Sequence, residues 1–163
     1  MQVEIMTSSA EDTREVGEAV ASLLRARDAV MLAGDLGSGK TTFAQGVARG
    51  LGIEEQVSSP TFTLVKEYTG ILDLAHVDVY RLERVQDVVD LGLEELGGGD
   101  DVLLVEWGDT IEELLPVDRL RVELITADEH DDLRKIVISA SGPAWVDRFA
   151  ELEAAVMPWV VTA

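Results

Sequence analysis

Gly34-Asp35-Leu36-Gly37-Ser38-Gly39-Lys40-Thr41 is the stretch that decides the fold, because it matches G-x-x-x-x-G-K-[ST], the Walker A phosphate-binding loop. Its glycines let the backbone curl so that successive N–H groups point at one anion. Lys40 can reach the β and γ oxygens of a nucleotide, and the Thr41 hydroxyl can bind a magnesium ion. The motif predicts a nucleotide-binding segment made of Asp35, Leu36, Gly37, Ser38, Gly39, Lys40, Thr41 and Thr42.

The residues on either side of this loop predict the strand and the helix that such a loop connects. Residues 29–33 form a short apolar run that is typical of a buried strand. The helix is expected to begin at about Lys40, so that its positive N-terminal end faces the same anion. Apolar residues then recur at helical spacing, at Phe43, Ala44, Val47, Ala48 and Leu51.

The remaining strand-like runs predict a mixed sheet. Residues 2–6 can form a first strand, and the apolar run 102–105 suits a central strand that is covered on both faces. Two pairs of runs indicate β-hairpins, 61–68 with 72–80 and 120–126 with 133–139. We therefore expect an α/β fold of the P-loop NTPase type, in which a parallel core is joined by antiparallel hairpins and flanked by helices.

Helix ends are predicted from capping patterns. Ser8-x-x-Glu11 matches a capping box ahead of a helix with apolar residues at Val16, Ala19, Val20, Leu23 and Leu24. Residues 84–96 are helical in pattern, with an interruption at Gly92. Asp109-x-x-Glu112 can cap a short helix that ends before Pro116. Pro143 fits the first turn of a last helix whose apolar face is Trp145, Phe149, Leu152 and Val156.

Length and composition limit the classes of protein that fit. The 163 residues suit one domain, spanning residues 1–163, with a real core. Cysteine is absent, which excludes disulfides and thiolate metal sites, and no apolar run is long enough for a membrane span. The net charge of −19, from 32 acidic and 13 basic residues, argues against direct nucleic-acid binding. A cytoplasmic protein with a solvated acidic surface, or one that meets a basic partner, is expected.

Glu106 is the first candidate for chemistry outside the loop. It ends the apolar run 102–105, and a carboxylate there is costly to bury without a cation or a hydrogen-bond donor. Phosphate loops commonly need such a second group to hold magnesium. We therefore expect Glu106 to bind the metal together with Thr41. Trp107 follows it and either packs in the core or covers the nucleotide.

The run His76-Val77-Asp78-Val79-Tyr80-Arg81 is the second candidate. Strand alternation puts His76, Asp78 and Tyr80 on one face. Asp78 could orient the attacking water or a magnesium-bound water, which would make it catalytic with Lys40 and Glu106. His76 is a weak signal that a satisfied structural histidine also explains. Arg81 suits a γ-phosphate contact or a surface salt bridge equally well.

Residues 58–63 (SSPTFT) lie between the predicted loop helix and the first hairpin. Switch segments that sense a γ-phosphate often present a hydroxyl from such a position, and Thr61 is the predicted residue. The alternative is a proline-bearing turn whose hydroxyls cap strand ends.

Taken together, these segments resemble the TsaE (YjeE) family of small P-loop ATPases, whose members act in making the threonylcarbamoyladenosine modification of tRNA. The matching stretches occur in the family's order and spacing: GDLGSGKTTFAQGVARGLG at 34–52, VSSPTFTLVKEY at 57–68, HVDVYRL at 76–82, LGLEEL at 91–96 and LLVEWGD at 103–109. The first stretch is shared with many NTPases, whereas the others are more specific.

The resemblance implies ATP in the loop and magnesium on Thr41 and Glu106. It implies that Asp78 supports hydrolysis, that Thr61 lies in a switch-like segment, and that Trp107 and Asp109 lie beside the nucleotide. Asp109 is also a good helix N-cap. The family works with two partners, TsaB and TsaD, so tRNA would be held by the other subunits of the complex.

Three other functions compete with this interpretation. A small-molecule kinase would need an acceptor pocket and usually extra arginines, and basic residues are few here. A regulatory GTPase would normally carry the guanine-reading N-K-x-D motif, and this chain contains no asparagine. A nucleotide-gated binding module with negligible turnover is separated from a slow ATPase only by measuring turnover.

Overall fold

In the computed structural model, residues 1–60, 64–79, 85–90, 92, 99–127 and 132–161 are described. Seven strands lie within these ranges and form one sheet. They are β1 (Gln2–Thr7), β2 (Ala29–Ala33), β3 (Val65–Tyr68), β4 (Leu74–Asp78), β5 (Val102–Glu106), β6 (Arg119–Thr126) and β7 (Arg134–Ser141).

The sheet is mixed, as predicted. Its strand order is β1-β7-β6-β2-β5-β4-β3. β2 lies between β5 and β6 and is parallel to both, and β4 is parallel to β5. The pairs β3–β4, β6–β7 and β1–β7 are antiparallel. The two predicted hairpins are therefore confirmed, although the first is shorter within the described residues than the sequence indicated.

The helices lie mainly on one face of this sheet. They are α1 (Ala10–Ala21), α2 (Lys40–Gly50), α3 (Val85–Asp90), α4 (Pro143–Val146) and α5 (Phe149–Val156), with 3₁₀ segments at Gly108–Leu114 and Met157–Trp159. The larger core joins α1, α2, α4 and α5 to the sheet, and includes the four predicted residues of the last helix. A smaller core on the other face includes Met31, Val77 and Val105, together with Ile111 of the first 3₁₀ segment and Leu115, which directly follows it.

A close crossing between α1 and α2 sets the position of the loop helix. A Cβ on Gly46 would overlap the backbone of Arg14, and a Cβ on Gly17 would overlap the backbone of Phe43. The two helices can approach this closely only because both contact positions are glycine. This contact holds α2 on the sheet, with its N-terminus at the edge where β2 ends.

Two capping predictions were wrong by one or two residues. Ser9, not Ser8, is the N-cap of α1, and its hydroxyl accepts from the Asp12 N–H. Ser8 instead donates its N–H and hydroxyl to the Asp12 carboxylate, which lowers the pKa of that carboxyl. The segment that follows β5 begins at Gly108 with Trp107 as its N-cap, so Asp109 does not start it.

A buried ion pair attaches the C-terminal helices to the sheet. Arg148 lies between α4 and α5 and donates to both carboxylate oxygens of Asp28, at 2.7 and 2.9 Å. Both side chains are less than a tenth exposed. Within the described part of the chain, none of the helices has the length and apolar character that a membrane crossing requires.

Candidate nucleotide-binding site

The site forms at the sheet edge where the parallel strands end. The carboxyl ends of neighbouring parallel strands meet at one edge, so the residues that end β2, β4 and β5 lie close together. β2 leads into the Walker A loop, β4 ends at Asp78 and β5 ends at Glu106. Asp78 and Glu106 are register partners on adjacent strands.

The Walker A loop has the backbone conformation that its glycines permit. Gly37 and Gly39 have φ values of 80° and 107°, in the left-handed region that favours glycine. The turn is closed by a hydrogen bond from the Ser38 N–H to the Asp35 carbonyl, at 3.0 Å. α2 begins at Lys40, as predicted, and the first N–H groups of an α-helix have no partner within the helix. The loop and the helix end therefore offer donors to an anion.

Lys40 is buried against its own loop. Its ammonium donates to the carbonyls of Gly34 and Asp35, at 2.7 and 3.0 Å. It also lies 3.9 Å from the centre of the Trp107 ring. The lysine is thus held at the base of the loop.

A cavity of about 490 Å³ opens beside the loop. It is lined by Leu36, Gly37, Gly39, Lys40, Thr41, Thr42, Ser59, Asp78, Glu106 and Trp107. Lys40 is the only basic side chain in this lining among the described residues, and Asp78 and Glu106 face it with two carboxylates.

The two carboxylates are each restrained by a neighbour. The Ser59 hydroxyl donates to Oδ2 of Asp78 at 3.1 Å. Nε2 of His76 lies 2.8 Å from Oε2 of Glu106, and both residues are buried. Each of these hydrogen bonds restricts the orientation of one carboxylate.

Arg134 supports the loop from the other end of the chain. Because β7 is antiparallel to β6, β7 begins at the edge where the parallel strands end. The Arg134 guanidinium donates to the Ser38 carbonyl at 3.0 Å and to the Gly37 carbonyl at 3.4 Å. Arg134 therefore ties the start of β7 to two carbonyls of the loop.

Most of the predicted site residues are brought together. Leu36, Gly37, Gly39, Lys40, Thr41, Thr42, Asp78, Glu106 and Trp107 line one cavity. Asp35 contributes its carbonyl to Lys40, and the buried Ser38 hydroxyl has no hydrogen-bond partner within the described ranges. Thr61 and Arg81 lie outside the described residues, as does the side chain of Asp109.

Sequence analysis missed three contributions. Ser59 was passed over in favour of Thr61, although both belong to one predicted switch segment. The contact between His76 and Glu106, and the support that Arg134 gives the loop, join residues 30 and 96 positions apart. No local pattern marks a contact over such a separation.

The side-chain oxygens that line the cavity suit a hard cation that is bound by both the protein and a phosphate. No cluster of three or more His, Cys, Asp or Glu residues that could hold a metal by itself occurs within the described ranges. Mg²⁺ usually keeps several waters and binds through one or two carboxylates plus substrate phosphates, so it needs no such cluster. The Thr41 hydroxyl and the Glu106 carboxylate are oxygen ligands of this kind, and both residues line the cavity.

Comparison with known proteins agrees with the architecture. The family model described as "Threonylcarbamoyl adenosine biosynthesis protein TsaE" matches residues 7–136. The chain belongs to the TsaE family. The TsaE of Bacillus subtilis is 46% identical over 142 residues, which cover 86% of this chain and 87% of that protein. The TsaE of Treponema pallidum is 41% identical over 129 residues, covering 78% and 96%.

A solved structure supports the same assignment. The crystal structure of Bacillus subtilis YdiB superposes with a TM-score of 0.81 at 40% identity, and the match covers 94% of this chain and 95% of that one. The fold is therefore the mixed-sheet P-loop fold expected from the sequence. Membership of the TsaE family connects the chain with tRNA threonylcarbamoyladenosine biosynthesis.

Proposed function

We propose that the chain is the magnesium-dependent, ATP-binding and ATP-hydrolysing subunit of tRNA threonylcarbamoyladenosine biosynthesis, and that it acts with TsaB and TsaD homologues. The observation that carries the proposal is the convergence of the Walker A loop, Asp78 and Glu106 on one cavity. Family membership supplies the pathway.

The charges of the cavity support magnesium dependence. A nucleotide polyphosphate in this cavity would meet one ammonium, from Lys40, and two carboxylates, from Asp78 and Glu106. Like charges this close repel, so the phosphate needs a further cation to bind well. Magnesium, when bound by Thr41 and Glu106, would supply that charge and polarise the phosphate oxygens.

Other residues of the cavity are assigned to phosphate binding and to orienting the attacking water. The loop N–H groups and Lys40 hold and orient the phosphates. Asp78 would accept a hydrogen bond from the attacking water and so aim the water's oxygen at the terminal phosphate. The Ser59 hydroxyl, at 3.1 Å, keeps the Asp78 carboxylate in one orientation.

Slow turnover by the isolated chain follows from the same lining. Within the described residues, the cavity wall contains no arginine, and Arg134 is engaged with loop carbonyls. In P-loop enzymes an arginine supplied by a partner can raise the rate by roughly 10³–10⁵. We propose that TsaB or TsaD supplies such a group and that the net charge of −19 speeds their association. The tRNA would then be held by those subunits.

Two experiments test the proposal. Lys40→Ala should abolish Mg²⁺-ATP binding without changing the circular dichroism, whereas the matched change Lys66→Ala, on β3, should leave binding intact.

Phosphate release should rise when purified TsaB–TsaD complex is added, and less steeply at high salt. Unchanged binding by Lys40→Ala would refute the nucleotide site. Fast turnover by the chain alone, unaffected by the partners, would favour an independent ATPase or a small-molecule kinase.

A further inference from the structure

The hydrogen bond between His76 and Glu106 joins a ring nitrogen to a carboxylate oxygen. Binding a cation requires Glu106 to be ionised, and an ionised carboxylate only accepts hydrogen bonds, so Nε2 of His76 is then the donor in the 2.8 Å contact. Nδ1 of the same ring is buried and has no hydrogen-bond partner among the described residues. Within the described part of the chain, the hydrogen bond of the imidazole is therefore the one to Glu106.

The position of His76 on the sheet makes this bond rigid. Leu104, not Glu106, is the register partner of His76 on β5, so the bond runs diagonally between strands that are already paired along their length. The His76 side chain is fully buried and that of Glu106 is 3% exposed. The imidazole can therefore hold one carboxylate oxygen, Oε2, while Glu106 also lines the cavity.

We propose that His76 is a positioning residue that aims the Glu106 carboxylate into the phosphate cavity for binding the magnesium ion. This inference rests on the proposed function, since it assigns a role toward the cation proposed there. With Oε2 held by the imidazole, Oε1 is the oxygen presented to the cation. Groups that orient metal-binding side chains in this way typically change metal affinity by about 10–100-fold.

The test compares two substitutions at one position. His76→Gln keeps an N–H donor near the place of Nε2, whereas His76→Leu fills a similar space without a donor. For each variant, the dissociation constant of a slowly hydrolysed ATP analogue, ATPγS, is measured in EDTA and in saturating Mg²⁺. The dissociation constant in EDTA divided by that in Mg²⁺ measures how much the cation strengthens binding, separately from the contribution of the phosphate loop. Val77→Ala, on the same strand but in the opposite core, controls for general loosening of β4.

The expected result is a selective loss. His76→Leu should lower the ratio by at least about tenfold, with the affinity in EDTA unchanged, and His76→Gln should stay within about threefold of the wild type. Equal ratios in the wild type and His76→Leu, or equal losses in both His76 variants, would overturn the proposal. Absence of any Mg²⁺ effect in the wild type would instead refute the proposed metal site itself.

A measurement on the wild type covers the case in which a variant fails to fold. Long-range ¹H–¹⁵N correlation spectra of the imidazole distinguish a proton on Nε2 from one on Nδ1. The proposal requires a proton on Nε2 in the free protein and a shift of that Nε2 resonance when Mg²⁺ and ATPγS are added together. A proton on Nδ1, or an Nε2 signal that Mg²⁺ leaves unmoved, would contradict the assignment.

Discussion

The ammonium of Lys40 lies 3.9 Å from the centre of the Trp107 ring, within the range of a cation–π interaction. Trp107 reaches this position because its backbone is left-handed, with φ of 64°, and because its N–H donates to the Leu32 carbonyl at 2.9 Å. A non-glycine residue held in this conformation is strained, and such strain is concentrated at functional sites. The left-handed turn thus places the indole directly against the Lys40 charge.

Fluorescence of Trp107 should report nucleotide binding. A phosphate that draws the Lys40 ammonium away from the ring changes the field at the indole, so the emission of the wild type should change on addition of Mg²⁺-ATP. Trp107→Phe should remove this change, whereas Trp159→Phe, outside the cavity lining, should keep it. A response retained by Trp107→Phe and lost in Trp159→Phe would contradict the assignment.

Substitution of the two cavity carboxylates should have different effects. Glu106→Ala removes a proposed ligand and should weaken the Mg²⁺ dependence of nucleotide affinity. Asp78→Ala should spare affinity and slow single-turnover hydrolysis, because Asp78 is proposed to act on the water. Loss of affinity in Asp78→Ala, together with normal affinity and rate in Glu106→Ala, would show that the roles are reversed.

Arg134→Ala should weaken nucleotide binding although the residue does not line the cavity. Its guanidinium donates to two carbonyls of the phosphate loop, and loss of these charge-assisted bonds should reduce affinity about tenfold. Lys135→Ala is the matched control, since Lys135 pairs with Glu4 away from the loop. Calorimetric titration with ATPγS measures both, and equal affinities for the two variants would exclude the supporting role.

The C-terminal helices should depend on the buried pair of Asp28 and Arg148. Arg148→Ala leaves a carboxylate buried without its bidentate partner, a change that typically costs about 3–5 kcal/mol. Arg49→Ala breaks exposed pairs with Glu11 and Glu18 and should cost about 1 kcal/mol or less. Urea unfolding of both variants makes the comparison. Similar losses would mean that the Asp28 carboxylate is hydrated in solution.

The parts of the molecule that the sequence predicted are those set by local patterns. The strand, loop and helix around Lys40 follow from an apolar run, a glycine pattern and helical spacing. Glu106 could be named because a carboxylate at the end of a buried strand is costly without a cation or donor. Asp78 could be named because strand alternation places it with His76 on one face. The mixed sheet followed from the hairpin patterns beside the apolar run 102–105.

The errors concern helix ends at which more than one residue can serve as the N-cap. The omissions concern contacts between residues that are far apart in the sequence. Ser8 and Ser9 both carry hydroxyls suited to capping α1, and only the path of the chain leaving β1 decides for Ser9. Trp107 replaces Asp109 as N-cap because the left-handed turn after Glu106 starts the next segment early. The partners of His76 and Arg134 depend on strand register and on sheet order.

The strand order also dictates when the phosphate loop can mature during synthesis. β2 leads into the loop, and both of its neighbours in the sheet, β5 and β6, lie later in the chain. β1 pairs with β7, the last strand to be synthesised. Among the described residues, a ribosome-bound chain that ends before residue 102 contains the α1–α2 crossing and the β3–β4 hairpin but neither neighbour of β2. The loop is complete by residue 41, but β5 is complete only at residue 106, β6 at residue 126, and Arg134 is added later still, so the loop is synthesised well before the strands and the arginine that support it.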